Sequence, residues 1–124
     1  MPPPILRSEL RSIRRPQITD IVRLAELFDV SKDAMARAYA DYSREAVAIV
    51  VIRNGEVLRH YRNERNFPWI DIAPKTKVPP QSAYHYGQGT PGSVSQETEC
   101  DPELWLSASS ARNVGLMTEQ ILEQ

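Results

Sequence analysis

Residues 18–42 constrain the fold more than any other part of the chain, because two amphipathic patterns are separated there by a very short connection. The first pattern repeats at three and four positions, which is the spacing of one helical face; its members are Ile21, Leu24, Ala25 and Phe28. The second contains Val30, Met35, Ala38, Tyr39 and Tyr42. Since Phe28-Asp29-Val30 leaves room only for a sharp corner, the segment predicts a helix-turn-helix.

Capping residues support this prediction. Thr19 or Asp20 can cap the first helix, and Ser31 can cap the second, because a short side-chain oxygen accepts from the free backbone N–H groups. Asp29 replaces the usual corner glycine and tolerates a left-handed backbone better than most residues. We expect Val30 to fill the corner.

A third helix is predicted before this pair. Prolines 2–4 allow a helix to begin, and Pro16 ends one. Residues 5–14 place four apolar side chains on one face of a helix and arginines on the other; the apolar residues are Ile5, Leu6, Leu10 and Ile13. We favour a solvated face for these arginines over a nucleic-acid contact.

The pattern changes to β at Ala46. Asn54-Gly55 predicts a type I′ turn, and hence a β-hairpin over 46–63, because such a turn needs positive φ at both positions. The first strand is apolar on both faces, which predicts a central, covered strand. Short strands are expected at 67–72 and 103–106.

The remaining segments carry weaker signals. Residues 81–86 predict one helical turn, and the turn formers of 87–96 predict the most mobile segment. The tail, 114–124, is compatible with helix or strand, and its ending without a stop signal predicts that the domain continues beyond it. The fold of the complete chain is predicted to be α+β, with a helical domain at 1–45 and a small, mainly antiparallel α+β domain at 46–124.

Charge and composition narrow the function classes. The net charge is −1, and residues 17–45 carry four basic and six acidic side chains, which disfavours DNA binding through phosphate contacts. No apolar run approaches the length of a membrane span, and the N-terminus lacks the apolar core of a signal peptide. With one cysteine, Cys100, the chain cannot form an internal disulfide, so a cytoplasmic location is expected.

No catalytic or metal motif is evident. His60, His85 and Cys100 lack metal-ligand spacing, and the sequence has no HExxH, GxSxG or Walker motif. GQGTPG is a weak phosphate-loop candidate. Alternating acidic residues could bind a cation or a basic partner, although a solvated face is favoured; they are Glu97, Glu99, Asp101 and Glu103. Trp69 and Trp105 are candidate pocket-lining residues, with core anchoring as the alternative.

The order of these pieces resembles the region that follows the zinc motif in the ImmA/IrrE family of metallopeptidases. The family's LAxxFxVS signature is matched by LAELFDVS at 24–31, and MPPPILRSEL resembles the segment that precedes it. LMTEQILEQ is similar to the EQxLxQ segment of longer, sensor-bearing members. The resemblance implies that 46–124 begins a GAF-like sensor domain.

The resemblance also implies a role in transcription regulation and stress response. Full-length members cleave a repressor with zinc bound by HExxH, a motif that is absent here, so no catalytic residue and no cofactor is assigned to this chain. The implied role is regulation or substrate docking, with a repressor-type protein or a peptidase domain as partner. Candidate contact residues lie on the second helix of the pair: Lys32, Asp33, Arg37 and Tyr39. A small DNA-binding regulator and a small-molecule sensor are the alternatives.

Overall fold

The computed structural model describes residues 4–85 and 92–123 and confirms the α+β prediction. Its helices are α1 (Pro4–Ser12), α2 (Ile18–Leu27), α3 (Lys32–Tyr42) and a short α4 (Ala108–Ala111). Its strands are β1 (Ala48–Arg53), β2 (Glu56–Arg62), β3 (Thr98–Glu99) and β4 (Thr118–Glu119). Two 3₁₀ turns lie at Ala83–His85 and Pro102–Leu104. Every helix in the described residues is too short or too polar to span a lipid bilayer.

The described residues fall into two units. The first lies within Met1–Val50 and His60–Pro68, and the second within Val51–Arg59 and Trp69–Gln124. The base of the hairpin thus belongs to the first unit, while its tip belongs to the second.

The α2–α3 pair has the predicted corner. Asp29 has φ 52°, and the backbone N–H of Val30 donates to the carbonyl of Ala25 at 3.0 Å. Ser31 caps α3 by accepting from the N–H of Ala34 at 3.0 Å. The predicted cap of α2 is wrong by two or three positions: Gln17 is the N-cap, and its N–H donates to the Asp20 carboxylate at 3.0 Å, as in a capping box.

The core of the first unit is formed by one face of each of the three helices. Its buried members are Leu6, Leu10, Ile21, Leu24, Ala25, Met35, Ala36 and Tyr39. Ile5 was expected on the apolar face of α1 but is exposed, because it lies about 100° around the helix from the buried Leu6 and farther still from Leu10. The base of the hairpin is tied to the end of α3, since the buried Asn63 side chain donates to the carbonyl of Ser43.

The hairpin itself is confirmed, but the environment predicted for its first strand is wrong. Asn54 and Gly55 have φ values of 55° and 78°, as a type I′ turn requires. β1 pairs with β2 in a two-stranded sheet and has no fully buried residue, so it is not a covered central strand. β2, rather than β1, forms an additional isolated antiparallel β-bridge, between Glu56 and Lys77.

The second unit is less regular than predicted. The expected strands at 67–72 and 103–106 are absent from these described residues, and a 3₁₀ turn at Pro102–Leu104 occupies the first half of the latter. One backbone hydrogen bond, from Asp71 N–H to the Trp105 carbonyl at 2.8 Å, joins the two segments. A single backbone hydrogen bond does not require side chains to alternate along the chain as they do in a strand, so the sequence pattern could not predict this contact.

The tail is extended rather than helical. β4 pairs with β3 in antiparallel register, and Val94 forms a bridge with Leu122. The helical turn predicted at 81–86 is present at Ala83–His85, while Tyr86 lies outside the described residues. Residues 87–91 of the segment expected to be mobile also lie outside the described residues, and so does most of GQGTPG (87–92).

Candidate recognition surface on the helix pair

The outward face of α3 follows from its helical period. Its buried side carries Met35, Ala36, Tyr39 and Ala40, so the exposed side is formed by Ala34, Arg37 and Asp41. Lys32 is also exposed, but it is the first residue of the helix and lies next to the corner. The predicted contact residues Lys32 and Arg37 are therefore accessible at different places on the pair.

Asp33 is partly buried and already engaged. Both of its carboxylate oxygens accept from the Tyr61 hydroxyl, at 3.1 and 3.0 Å. Its position in the first turn of α3 also places a negative charge at the positive end of the helix dipole. Asp33 thus attaches the start of α3 to the hairpin, in addition to being a candidate contact.

The expectation that Tyr39 lies on the exposed side of α3 is wrong. Its side chain is 3% exposed, and its hydroxyl donates to the Asp20 carboxylate at 2.9 Å. Burial, followed by the nearby Asp20 charge, raises the pKa of Tyr39 far above its ordinary value. The phenol consequently remains a neutral donor within the core.

Two apolar side chains are exposed where the helices meet. Leu27 is 66% exposed and Val30 is 44% exposed, so Val30 does not fill the corner as predicted. Leu27 falls between the core positions Leu24 and Phe28, off the apolar stripe. Although Leu27 is three residues after Leu24, it lies about 100° or more around the helix from Ala25 and Phe28, and that angle is the sequence signal that could have identified it.

These residues belong to a set of exposed side chains at the corner, which we call the corner surface. It consists of the exposed side chains Glu26, Leu27, Asp29, Val30 and Lys32. It combines two apolar groups with two negative charges and one positive charge. Two further exposed side chains of opposite charge, Arg37 and Asp41, lie on the outward face of α3. The arrangement offers apolar contact area with a mixed polar rim, as protein interfaces do.

The two tryptophans of the second unit have different environments. Trp69 is 61% exposed, so it is not the wall of an enclosed pocket. Trp105 is 5% exposed, and its indole N–H donates to the Glu119 carboxylate at 3.2 Å. The structure therefore favours core anchoring for Trp105, which was the alternative to pocket lining.

Glu119 joins three separate parts of the second unit, a role that sequence reasoning missed. Its carboxylate accepts from the hydroxyl of Ser82 at 2.6 Å and from the N–H of Ala83 at 3.0 Å, besides Trp105. Ser82 is completely buried. These partners are 14 to 37 residues away along the chain, so no local motif predicts them.

The remaining titratable candidates are dispersed. Within residues 4–85 and 92–123, no three His, Cys, Asp or Glu side chains are grouped so that they could hold a metal ion. Burial lowers the pKa of His60, and His85 lies 3.3 Å from the Val78 carbonyl. Burial, followed by three neighbouring carboxylates, raises the pKa of Cys100 to about 11. The four alternating acidic residues are all exposed: Glu97, Glu99, Asp101 and Glu103.

No family model, curated protein or solved structure matches this chain. The resemblance to the ImmA/IrrE metallopeptidases therefore stays a hypothesis based on the residues quoted for it.

Proposed function

We propose that this chain is a non-catalytic recognition module of an ImmA/IrrE-like zinc metallopeptidase system, and that it docks a repressor-type protein. The observation that carries the proposal is the corner surface, where Leu27 and Val30 are exposed beside mixed charges. An isolated exposed leucine needs no explanation, but two exposed apolar groups at one corner offer a small anchoring site.

Charge supports a protein partner over duplex DNA. Duplex binding depends on phosphate neutralisation, which requires a positive surface. The corner surface instead has one more acidic than basic group, and Asp41 accompanies Arg37 on α3. The buried Tyr39 cannot contact either kind of macromolecule without unfolding.

In this proposal recognition and cleavage are separate tasks. The resemblance implies that zinc held by an HExxH motif supplies the hydrolytic chemistry, and this sequence lacks that motif. The chain's own residues would bring the repressor to a peptidase domain. Partners of this kind are intracellular regulators, which is consistent with the cytoplasmic location expected from the sequence.

Titration with a repressor-type protein encoded beside the gene of this chain tests the proposal. We expect saturable binding that the double variant Leu27→Ser, Val30→Ser weakens about tenfold, because it removes the apolar anchors. Leu116→Ser is the control, since Leu116 is also an exposed apolar side chain but lies in the second unit. Equal affinity for both variants would contradict the proposal, as would salt-dependent binding to duplex DNA in place of the protein.

A further inference from the structure

Four arginines of the first unit line an open depression of about 430 Å³. Three of them come from α1 and the segment after it, and the fourth follows α3. Two serine hydroxyls complete the polar lining, which consists of Arg7, Ser8, Arg11, Ser12, Arg14 and Arg44. We call this depression the arginine groove.

One side of α1 contributes most of the polar lining of the groove. Leu6 and Leu10 are buried in the core, so Arg7, Ser8 and Arg11 project from another side of the same helix. The Arg7 guanidinium lies over the Tyr42 ring, 5.2 Å from its centroid. This cation–π contact holds one positive charge at the groove before any ligand is present.

The positive charge of the groove is not neutralised by neighbouring carboxylates. No acidic side chain is among its lining residues. A salt bridge joins Arg23 to Asp20, but none of the four arginines of the groove forms a salt bridge within the residues that the structure describes. The Arg7 Nε is in addition buried without a hydrogen-bond partner, which is costly for a charged donor.

The donor set selects the chemistry of the ligand. Guanidinium groups present planar N–H forks that match phosphate oxygens, and they cannot lose their charge near neutral pH. One phosphate group carries a charge of about −1.5 to −2, so four arginines correspond to at least two such groups. The volume is within the range of small-molecule sites.

We propose that the arginine groove binds a small ligand carrying two or more adjacent phosphate groups. A duplex is a poorer fit, since the first unit as a whole carries ten basic and eight acidic side chains, and its excess of positive charge is small. The groove uses none of the residues of the corner surface, so this site is independent of repressor docking.

Calorimetric titration of the full chain with inorganic triphosphate, at about 0.15 M ionic strength, tests the proposal. Inorganic phosphate and a short DNA duplex are the comparison probes. We expect triphosphate to bind at least about tenfold more tightly than phosphate, because it can engage more than one arginine pair.

The variant Arg11→Gln, Arg14→Gln keeps Arg7 and its packing on Tyr42, and we expect it to weaken triphosphate binding about tenfold or more. The matched control, Arg15→Gln, Arg65→Gln, removes the same charge from exposed positions of the first unit outside the groove, and should change the affinity less than about threefold. Unchanged thermal unfolding of both variants confirms that they fold. Absence of saturable triphosphate binding, equal losses in both variants, or tighter binding of the duplex would overturn the proposal.

Discussion

The Tyr39 hydroxyl donates a hydrogen bond to the Asp20 carboxylate, 2.9 Å away, and thereby links the middle of α3 to the first turn of α2. The same carboxylate accepts from the N–H of Gln17. One side chain thus caps α2 and fixes the crossing of the two helices. Because Tyr39 is buried, this bond is part of the scaffold that holds the corner surface in place.

Replacing Tyr39 with phenylalanine should destabilise the chain by about 1–2 kcal/mol, because it removes a hydrogen bond to a charged group while keeping the ring in the core. Tyr61→Phe is the comparison, and it should cost less, since the Tyr61 side chain is only half-buried whereas Tyr39 is buried. Denaturant unfolding measures both. Equal losses would indicate that burial does not strengthen the Tyr39 bond.

The raised pKa of Tyr39 also predicts a pH dependence. The unfolded phenol ionises near pH 10, whereas the folded one keeps its proton to higher pH. The contribution of Tyr39 to the unfolding free energy is therefore complete below about pH 10 and is lost as the pH rises beyond it. Tyr39→Phe should unfold with a weaker dependence on pH in this alkaline range than the parent chain. Identical alkaline profiles would contradict the assignment.

Substitution at the corner should change stability in a direction set by backbone conformation. Asp29 has φ 52°, so Asp29→Gly should stabilise the chain by about 0.5–1 kcal/mol by relieving the left-handed strain. Ala34→Gly, on the exposed side of α3, should instead destabilise by about 1 kcal/mol. Thermal unfolding compares the two, and a loss of stability in Asp29→Gly would show that the Asp29 side chain contributes more than its backbone costs.

Truncation of Glu119 should be among the most damaging changes in the second unit. Glu119→Ala leaves three donors without their acceptor, at a cost of about 3 kcal/mol, whereas Glu119→Gln keeps one carbonyl oxygen and should cost about half as much. Glu103→Ala, at an exposed position, should change stability by less than about 0.5 kcal/mol. Denaturant unfolding measures the series, and equal effects at both sites would contradict the role of Glu119.

The Cys100 thiol should be unreactive in the folded chain. Its pKa rises from 9.0 to about 11, so at pH 8 the folded chain should contain about a hundredfold less thiolate than the unfolded chain. The rate of labelling with a disulfide reagent, with and without denaturant, measures this ratio. Since burial is the first cause and the carboxylates of Glu119, Asp101 and Glu99 follow, Glu99→Gln should accelerate labelling far less than unfolding does. Similar rates in folded and unfolded chains would refute the assignment.

Local signals predicted the elements that are stabilised by neighbours in sequence. The stripe ending at Phe28, the Ser31 cap and the positive φ of Asp29 all follow from interactions within four or five residues, as does the Asn54-Gly55 turn. These signals were sufficient for the helix pair and the hairpin. They could not show that β1 has one pairing neighbour instead of two, because that depends on the rest of the fold.

Apart from the cap of α2 and the face of Ile5, which were misplaced within local patterns, the errors fall where distant contacts decide the structure. Tyr39 is amphipathic, and only the position of Asp20, 19 residues earlier, explains why its hydroxyl is satisfied inside the core. Trp105 and Glu119 form part of an irregular region in which single hydrogen bonds replace a periodic ladder. Leu27 was the exception, since its departure from the stripe was visible in the sequence.

The most direct test of the central claim is the change in backbone amide NMR signals when a repressor-type protein encoded beside the gene is added to the isotope-labelled chain. We predict that the largest changes cluster at the corner surface, around Leu27, Val30 and Lys32, and extend to Arg37 on α3. No change at saturating repressor, or changes confined to the second unit around Trp69, would contradict the proposal that the helix pair is the docking site.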